Sequence, residues 1–129
     1  IDFSSIEQKN DIATRAASGT VLAHFARNIN NMILASADLS NSDKTDGFFF
    51  FLQPLQKDDF TGGFLQMGVS ELTMGAVANG IALHGGVIPV CGTFFVFSDY
   101  MKPAVRLAAL MELPVKYVWT HDAFRVGED

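Results

Sequence analysis

The sequence predicts an α/β domain, a mainly parallel sheet with helices on both faces. Apolar runs with strand character alternate along the chain with stretches whose apolar residues recur at helical spacing. The 129 residues are 49% hydrophobic and 18% charged, enough for one substantial core. No repeat and no linker divides them, so one domain is expected.

The elements follow in order. Asp11 is placed to N-cap a helix over 12–28, where Ile12, Val21, Leu22 and Phe25 stand at helical spacings and Gly19 weakens the middle. NMILASADL (31–39) opens apolar and ends polar, as a buried strand entering a loop does. SADLSNSDKTDG (36–47) is rich in Asx and Ser turn formers and reads as that loop. Residues 48–52 are continuously apolar, and 60–67 have room for a short strand. Helical signals return at Ser70, with Ala76, Val77, Gly80 and Ile81 on one face and Gly85-Gly86 as the stop. Residues 87–97 begin as a strand. Ser98 and Asp99 then offer a cap for a helix through KPAVRLAALMEL (102–113), with Pro103 either early in it or at a kink. Pro114 ends that helix, and VKYVWTHD (115–122) is a strong strand. Ligands of such sheets collect at strand C-terminal ends, here Ala37-Asp38, Thr93-Phe94 and His121-Asp122.

Several classes are disfavoured. Nine Lys+Arg against 14 Asp+Glu give a net charge of −5, which leaves no basic surface for a nucleic acid. Mean hydropathy is +0.23, and no charged residue lies between Glu71 and Asp99. A membrane span needs about 20 apolar residues, whereas Asn79, His84, Gly85-Gly86 and Pro89 interrupt this stretch. The opening residues show no signal-peptide pattern. A single cysteine, Cys91, excludes an internal disulfide framework and suits the cytoplasm.

Familiar chemical motifs are missing. There is no G-x-G-x-x-G, no phosphate loop and no G-x-S-x-G elbow. His24, His84 and His121 lack zinc spacing, so no metal site is expected within this chain. Asp38, Asp43 and Asp46-Gly47 miss the spacing and terminal Glu of a calcium loop and read as a solvated turn. Cys91, on an apolar strand, reads as a buried, inert thiol.

Three segments are distinctive together: GVSELTMGAVANGIALHGG (68–86), TFFVFSDYMKPAVRLAALMELP (93–114) and THDAFRVGED (120–129). With SADLSNSDKT (36–45) and IATRAAS (12–18), they resemble the pyrimidine-binding domain of transketolase, a thiamine-diphosphate enzyme. The resemblance implies transfer of a two-carbon ketol unit between sugar phosphates. It also implies a cofactor held at a homodimer interface, between this domain and the diphosphate domain of the partner subunit. Residues 1–129 would then be the pyrimidine domain, incomplete at its C-terminal end. The diphosphate and metal domain, which holds magnesium or calcium, and the C-terminal domain would lie outside the chain, leaving the isolated chain inactive. GFFFFLQPLQ (47–56) departs from the family, which generally carries a polar loop there.

Roles transfer residue by residue. Glu71 matches the carboxyl that hydrogen-bonds the aminopyrimidine ring nitrogen, a role requiring a proton on Glu71; unaided, it reads as an ordinary first-turn Glu. Phe94, Phe97 and Tyr100 match the aromatic surround of that ring, with Phe97 stacked on it; core packing is the competing role. Val69 matches the apolar wedge beneath the cofactor. Asp38 and Leu39 match the loop on the thiazolium side, although Asp38 equally suits an Asx-turn. Arg15, Ser42 and His121 match the group that holds the sugar phosphate, with His121 also counted as catalytic. Asp129 matches the carboxylate that contacts the donor's hydroxyl. Two other readings remain: a related thiamine-dependent synthase or 2-oxo acid dehydrogenase component, and a truncated, non-catalytic interaction module.

Overall fold

The computed structural model describes residues 1–48 and 51–122. Helix α1 (Thr14–Asn28) starts after Ala13, whose backbone is extended and whose side chain makes no capping bond. Asp11 is therefore not the cap; it stands two residues outside, in a left-handed turn. Strand β1 (Met32–Ser36) follows, as its apolar run predicts. The segment expected to be a plain loop instead folds into α2 (Ser40–Asp43) and a 3-10 turn, Thr45–Phe48. Strand β2 (Phe64–Gln66) is short, and helix α3 (Glu71–His84) begins directly after Ser70.

Strand β3 (Ile88–Phe94) runs through a 3-10 turn, Phe95–Phe97, into helix α4 (Ser98–Leu110). Ser98 and Asp99 are the first residues of that helix, and Phe97 holds the cap position without a capping bond. Pro103 lies inside α4, beyond its first turn, where it removes the N–H that would reach back to Asp99. Strand β4 (Lys116–Thr120) closes the described fold.

The four strands are all parallel, in the order β2-β1-β3-β4. Side chains alternate across the sheet, so neighbours such as Leu34 and Ala35, or Val90 and Cys91, serve opposite faces. One face buries Leu22, Ala26, Leu34, Phe48, Phe64 and Val90 beneath α1 and the Thr45–Phe48 turn. The other buries Ala35, Ala37, Met74, Ala78, Cys91 and Met101 beneath α3 and α4. Both faces are thus helix-covered, as the alternation of elements predicts. Cys91 is buried, and burial pushes its thiol up to about 12, which makes it inert.

The buried stripe of α3 differs from the expected one. Glu71, Met74, Gly75, Ala78 and Asn79 face inward, while Ala76, Val77 and Gly80 are exposed. A helix apolar on nearly every side carries no strong phase in its sequence, so packing decides. Gly75 lets α4 approach closely, since a Cβ there would sit 2.9 Å from the Cβ of Ala104. Beside it, Asn79 Nδ2 donates to the Ala104 carbonyl at 2.8 Å, and Tyr117 Oη donates to Asn79 Oδ1 at 2.7 Å. This network ties α3, α4 and β4 together. Among the described residues, no helix is long and apolar enough to cross a membrane.

Phe48 opens the apolar run 48–52, of which Phe49 and Phe50 lie outside the described residues. Its side chain is fully buried against α1 and the sheet. Phe48→Ala should cost about 3–5 kcal/mol of unfolding free energy. Urea unfolding checks this; a loss below about 1 kcal/mol would place Phe48 outside the core.

Candidate functional site

The chain leaves β1 for β2 on one side, then returns to place β3 on the other. That reversal opens a crevice between the C-terminal ends of β1 and β3, the position where doubly wound sheets bind ligands. A cleft of about 500 Å³ lies there, lined by Ala37, Asp38, Leu39, Val69, Glu71, Phe97 and Tyr100. Six of the seven residues singled out from sequence for the cofactor thus line one cleft, although 62 positions separate Asp38 from Tyr100; the seventh, Phe94, is outside the lining and stacks on Phe97.

Local structure sets each wall. Asp38 and Leu39 follow β1, with Asp38 in the left-handed region (φ 65°), so the chain turns off the sheet at once. Gly68, also left-handed, opens a tight turn in which Ser70 N–H donates to the Gly68 carbonyl and Ser70 Oγ donates to the Met67 carbonyl. The turn pushes Val69 outward, 80% exposed at the rim. Glu71, the first residue of α3, is only 7% exposed, and no described residue hydrogen-bonds its carboxyl group.

The aromatic wall descends from β3 into α4. Phe94 and Phe97 are stacked, 5.6 Å between centroids and 11° between planes, and Phe97 meets Tyr100 at 6.1 Å. The three-residue spacing aligns these rings because one 3-10 turn and the first turn of α4 link them. An aromatic surface facing a buried carboxyl suits a flat heteroaromatic ring with a polar edge.

A second group adjoins the first. The His121 ring lies on Phe94, 3.7 Å between centroids. Arg15 Nη1 donates to His121 Nε2, across 106 positions of sequence. The other ring nitrogen, Nδ1, is 2.8 Å from Thr120 Oγ1. Ser42 does not join this pair; it is exposed on α2, and its N–H donates to the Leu39 carbonyl. Asp129 lies outside the described residues. A wider groove of about 970 Å³ runs past Phe95, Val105 and Trp119 and reaches this group only at His121. No cluster of three potential metal ligands occurs among the described residues.

A family model described as "Transketolase, pyrimidine binding domain" matches residues 10–129. The chain belongs to this family. It is 50% identical over 127 residues to the transketolase of Halalkalibacterium halodurans, covering 97% of this chain and 18% of that protein. The Bacillus subtilis transketolase is likewise 50% identical over 127 residues, covering 95% of this chain and 18% of the relative. Among solved structures, Leishmania mexicana transketolase superposes with a TM-score of 0.90 at 38% identity, covering 98% of this chain and 19% of that one. A Pichia stipitis transketolase complex with sedoheptulose 7-phosphate superposes at 0.85 with 38% identity, covering 92% of this chain and 18% of that one. The chain therefore spans about a fifth of the length of these transketolases.

Sequence reasoning marked Ala37 only as part of a strand end, and it missed the burial of Asp43. Read as part of a solvated turn, Asp43 is in fact 1% exposed. Its Oδ1 accepts from Thr45 N–H at 2.9 Å and Thr45 Oγ at 2.7 Å, and its Oδ2 accepts from Ser36 Oγ at 3.0 Å. The Asp-x-Thr spacing was the available signal, since an Asp bonding the residue two positions on is a common turn device. Burial lifts this carboxyl above its ordinary 3.8 despite those bonds, and nearby Asp46 adds to the rise. Between 3.8 and the raised value, the folded chain keeps a proton that the unfolded chain has released. Stability attributable to Asp43 is therefore full below that window and falls as pH rises through it. Asp43→Asn should flatten this part of the profile, as read from urea midpoints between about pH 4 and pH 7. Identical slopes in parent and variant would contradict it.

Proposed function

We propose that this chain holds the aminopyrimidine of thiamine diphosphate in a transketolase-like enzyme that moves a two-carbon ketol unit between sugar phosphates. The single observation that carries the reading is the convergence of Asp38, Leu39, Val69, Glu71, Phe97 and Tyr100 on one cleft at the strand-order reversal. The chemistry of the lining fits the group: an aromatic face for the ring, a buried carboxyl for its nitrogen edge, and apolar Val69 and Leu39 toward the rest of the cofactor. Bound there, thiamine diphosphate supplies the carbon nucleophile that carries the ketol unit.

The chain's own residues have separable tasks. Phe97, backed by Phe94 and beside Tyr100, binds and orients the ring; an aromatic stack contributes about 0.5–1.5 kcal/mol beyond burial. Val69 and Leu39 exclude water and set the cofactor's shape. The Glu71 carboxyl group hydrogen-bonds the pyrimidine nitrogen and takes the acid–base role that the family resemblance implies. Arg15 and His121 bind the sugar phosphate, because a guanidinium fork donates two bonds to phosphate oxygens. Ser42, which stands apart from this pair on α2, and Asp129, outside the described residues, are assigned further substrate contacts by family resemblance alone. A guanidinium binds carboxylate as well as phosphate, so the preference for a phosphorylated sugar over the 2-oxo acid of a dehydrogenase component rests on the family match of Arg15, Ser42 and His121.

Magnesium or calcium and the diphosphate fall to a region beyond these residues, contributed by a homodimer partner or by other domains. Leu72, Val77 and Leu83 on the outer side of α3, with Val69 and Tyr100 at the rim, give such a partner an apolar surface. We place the enzyme in the cytoplasm, where a lone buried thiol suits the reducing conditions.

In the complete enzyme carrying this sequence, Glu71→Gln should lower turnover about a hundredfold or more, with only modestly weaker cofactor binding. Phe97→Ala should do the reverse, weakening cofactor affinity more than the maximal rate at saturating cofactor. Exchange of the thiazolium proton for deuterium on the bound cofactor is the decisive measurement. If Glu71→Gln exchanges as fast as the parent, Glu71 is an ordinary helix-start carboxylate.

A further inference from the structure

We infer that Ser36, Asp43 and Gly92 are positioning residues, a buried cradle that fixes the Asp38–Leu39 wall and the Val69–Glu71 wall of the cleft relative to each other. This rests on the reading of the cleft as the cofactor site. None of the three lines that cleft.

The cradle is a chain of short contacts. Asp43 Oδ2 accepts from Ser36 Oγ, which fixes the direction of that hydroxyl. Ser36 Oγ in turn accepts the Leu39 N–H at 3.3 Å, and the Leu39 carbonyl takes the N–H groups of Ser42 and Asp43, each at 2.8 Å. Leu39 is thus held at both ends of its backbone by a structure anchored on Asp43. The carbonyl of Ser36 accepts the Met67 N–H at 3.3 Å, at the foot of the turn that carries Val69 and Glu71. One residue, Ser36, therefore bonds to both walls.

Two features show that this arrangement is imposed rather than relaxed. Asp38 and Lys44, on either side of α2, are non-glycine residues in the left-handed region, with φ of 65° and 63°. Such residues persist where the surroundings over-determine them. Gly92 of β3 supplies the floor. A Cβ there would stand 2.5 Å from Thr45 Cγ2 and 3.2 Å from Asp43 Oδ2, so the α2 end rests directly on the strand. Asp43 is bonded at both oxygens; an asparagine can still accept from Thr45, but its NH₂ cannot accept from Ser36 Oγ, so that hydroxyl loses the bond that fixes its direction.

The test uses the complete subunit carrying this sequence, with Ser36→Ala, Gly92→Ala and Asp43→Asn. Amide hydrogen exchange of segment 37–42 is followed in the cofactor-free protein, with segment 88–94 as the control for global unfolding. Thiamine diphosphate affinity with magnesium is read separately, by intrinsic fluorescence without substrates. Ser36→Ala should speed exchange in 37–42 and weaken affinity about fivefold to tenfold, the scale of one buried hydrogen bond, while 88–94 stays protected. Gly92→Ala should also speed exchange in 37–42 and weaken affinity, by lifting α2 off the strand, and Asp43→Asn, which removes the acceptor of the Ser36 hydroxyl, should shift both readouts in the same direction as Ser36→Ala. The inference is overturned if Ser36→Ala leaves either readout unchanged, if 88–94 in the Ser36→Ala variant loosens in step with 37–42, or if Asp43→Asn leaves both readouts at the parent level. If the parent binds no thiamine diphosphate, the functional reading and the inferred role toward the cofactor both fail; if it binds and only the variants behave otherwise than expected, the cradle alone fails.

Discussion

A parallel sheet must be covered on both faces, and the rest of this structure depends on that constraint. Strands β1 and β3 are central, with strand neighbours on both sides and helices or turns above and below. They have no solvent face to give away, so the only place for polar chemistry along them is their C-terminal ends. The chain reverses strand order between those two strands, and the crevice that results cannot be filled by a connecting loop. Asp38 and Phe97 lie just beyond the two strand ends, and α3 brings Glu71 to the same place.

The interior polar residues divide by whether they are satisfied. Asn79 gives and receives bonds between α4 and β4, and Asp43 accepts bonds at both of its oxygens. Burying an unpaired polar group costs about 1–3 kcal/mol, so these networks fix one arrangement of helices over the sheet. Glu71 is buried to a similar degree but has no partner among the described residues. The fully buried side-chain polar atoms with no partner among the described residues are His24 Nε2, Thr93 Oγ1 and Trp119 Nε1, whereas the Glu71 carboxyl stands at the mouth of the cleft.

The layered fold was legible because strand and helix periods differ, and because Gly85-Gly86 and Pro114 punctuate the chain. The cleft residues were legible through family resemblance, since spacing alone makes Glu71 an ordinary helix-start residue and Phe97 an ordinary core aromatic. What stayed hidden was phase and depth. The apolar pattern of α3 fits several faces, and only the close approach at Gly75 selects the one observed. Asp43 sits among turn-forming residues whose composition signals solvent, yet the short α2 folds back and carries it under the sheet end. The short range of local sequence patterns cannot register a contact such as Asp43 to Gly92, 49 positions apart.

The left-handed residues complete the physical account of the site. Asp38 ends β1, and His121 ends β4 with φ of 55°. A left-handed residue costs roughly 1–2 kcal/mol for most side chains, and least for short polar ones. What it achieves is a change of direction within a single residue. The strand stops, the backbone leaves the sheet, and a side chain rather than more strand occupies the rim. At β1 this turns the chain immediately into the Leu39 wall; at β4 it lays the imidazole against Phe94 and within reach of Arg15. Both ends combine an unfavourable backbone with a dense set of contacts. A site that must hold its shape before a ligand arrives is built this way, with the strain carried by residues whose neighbours leave them no alternative conformation.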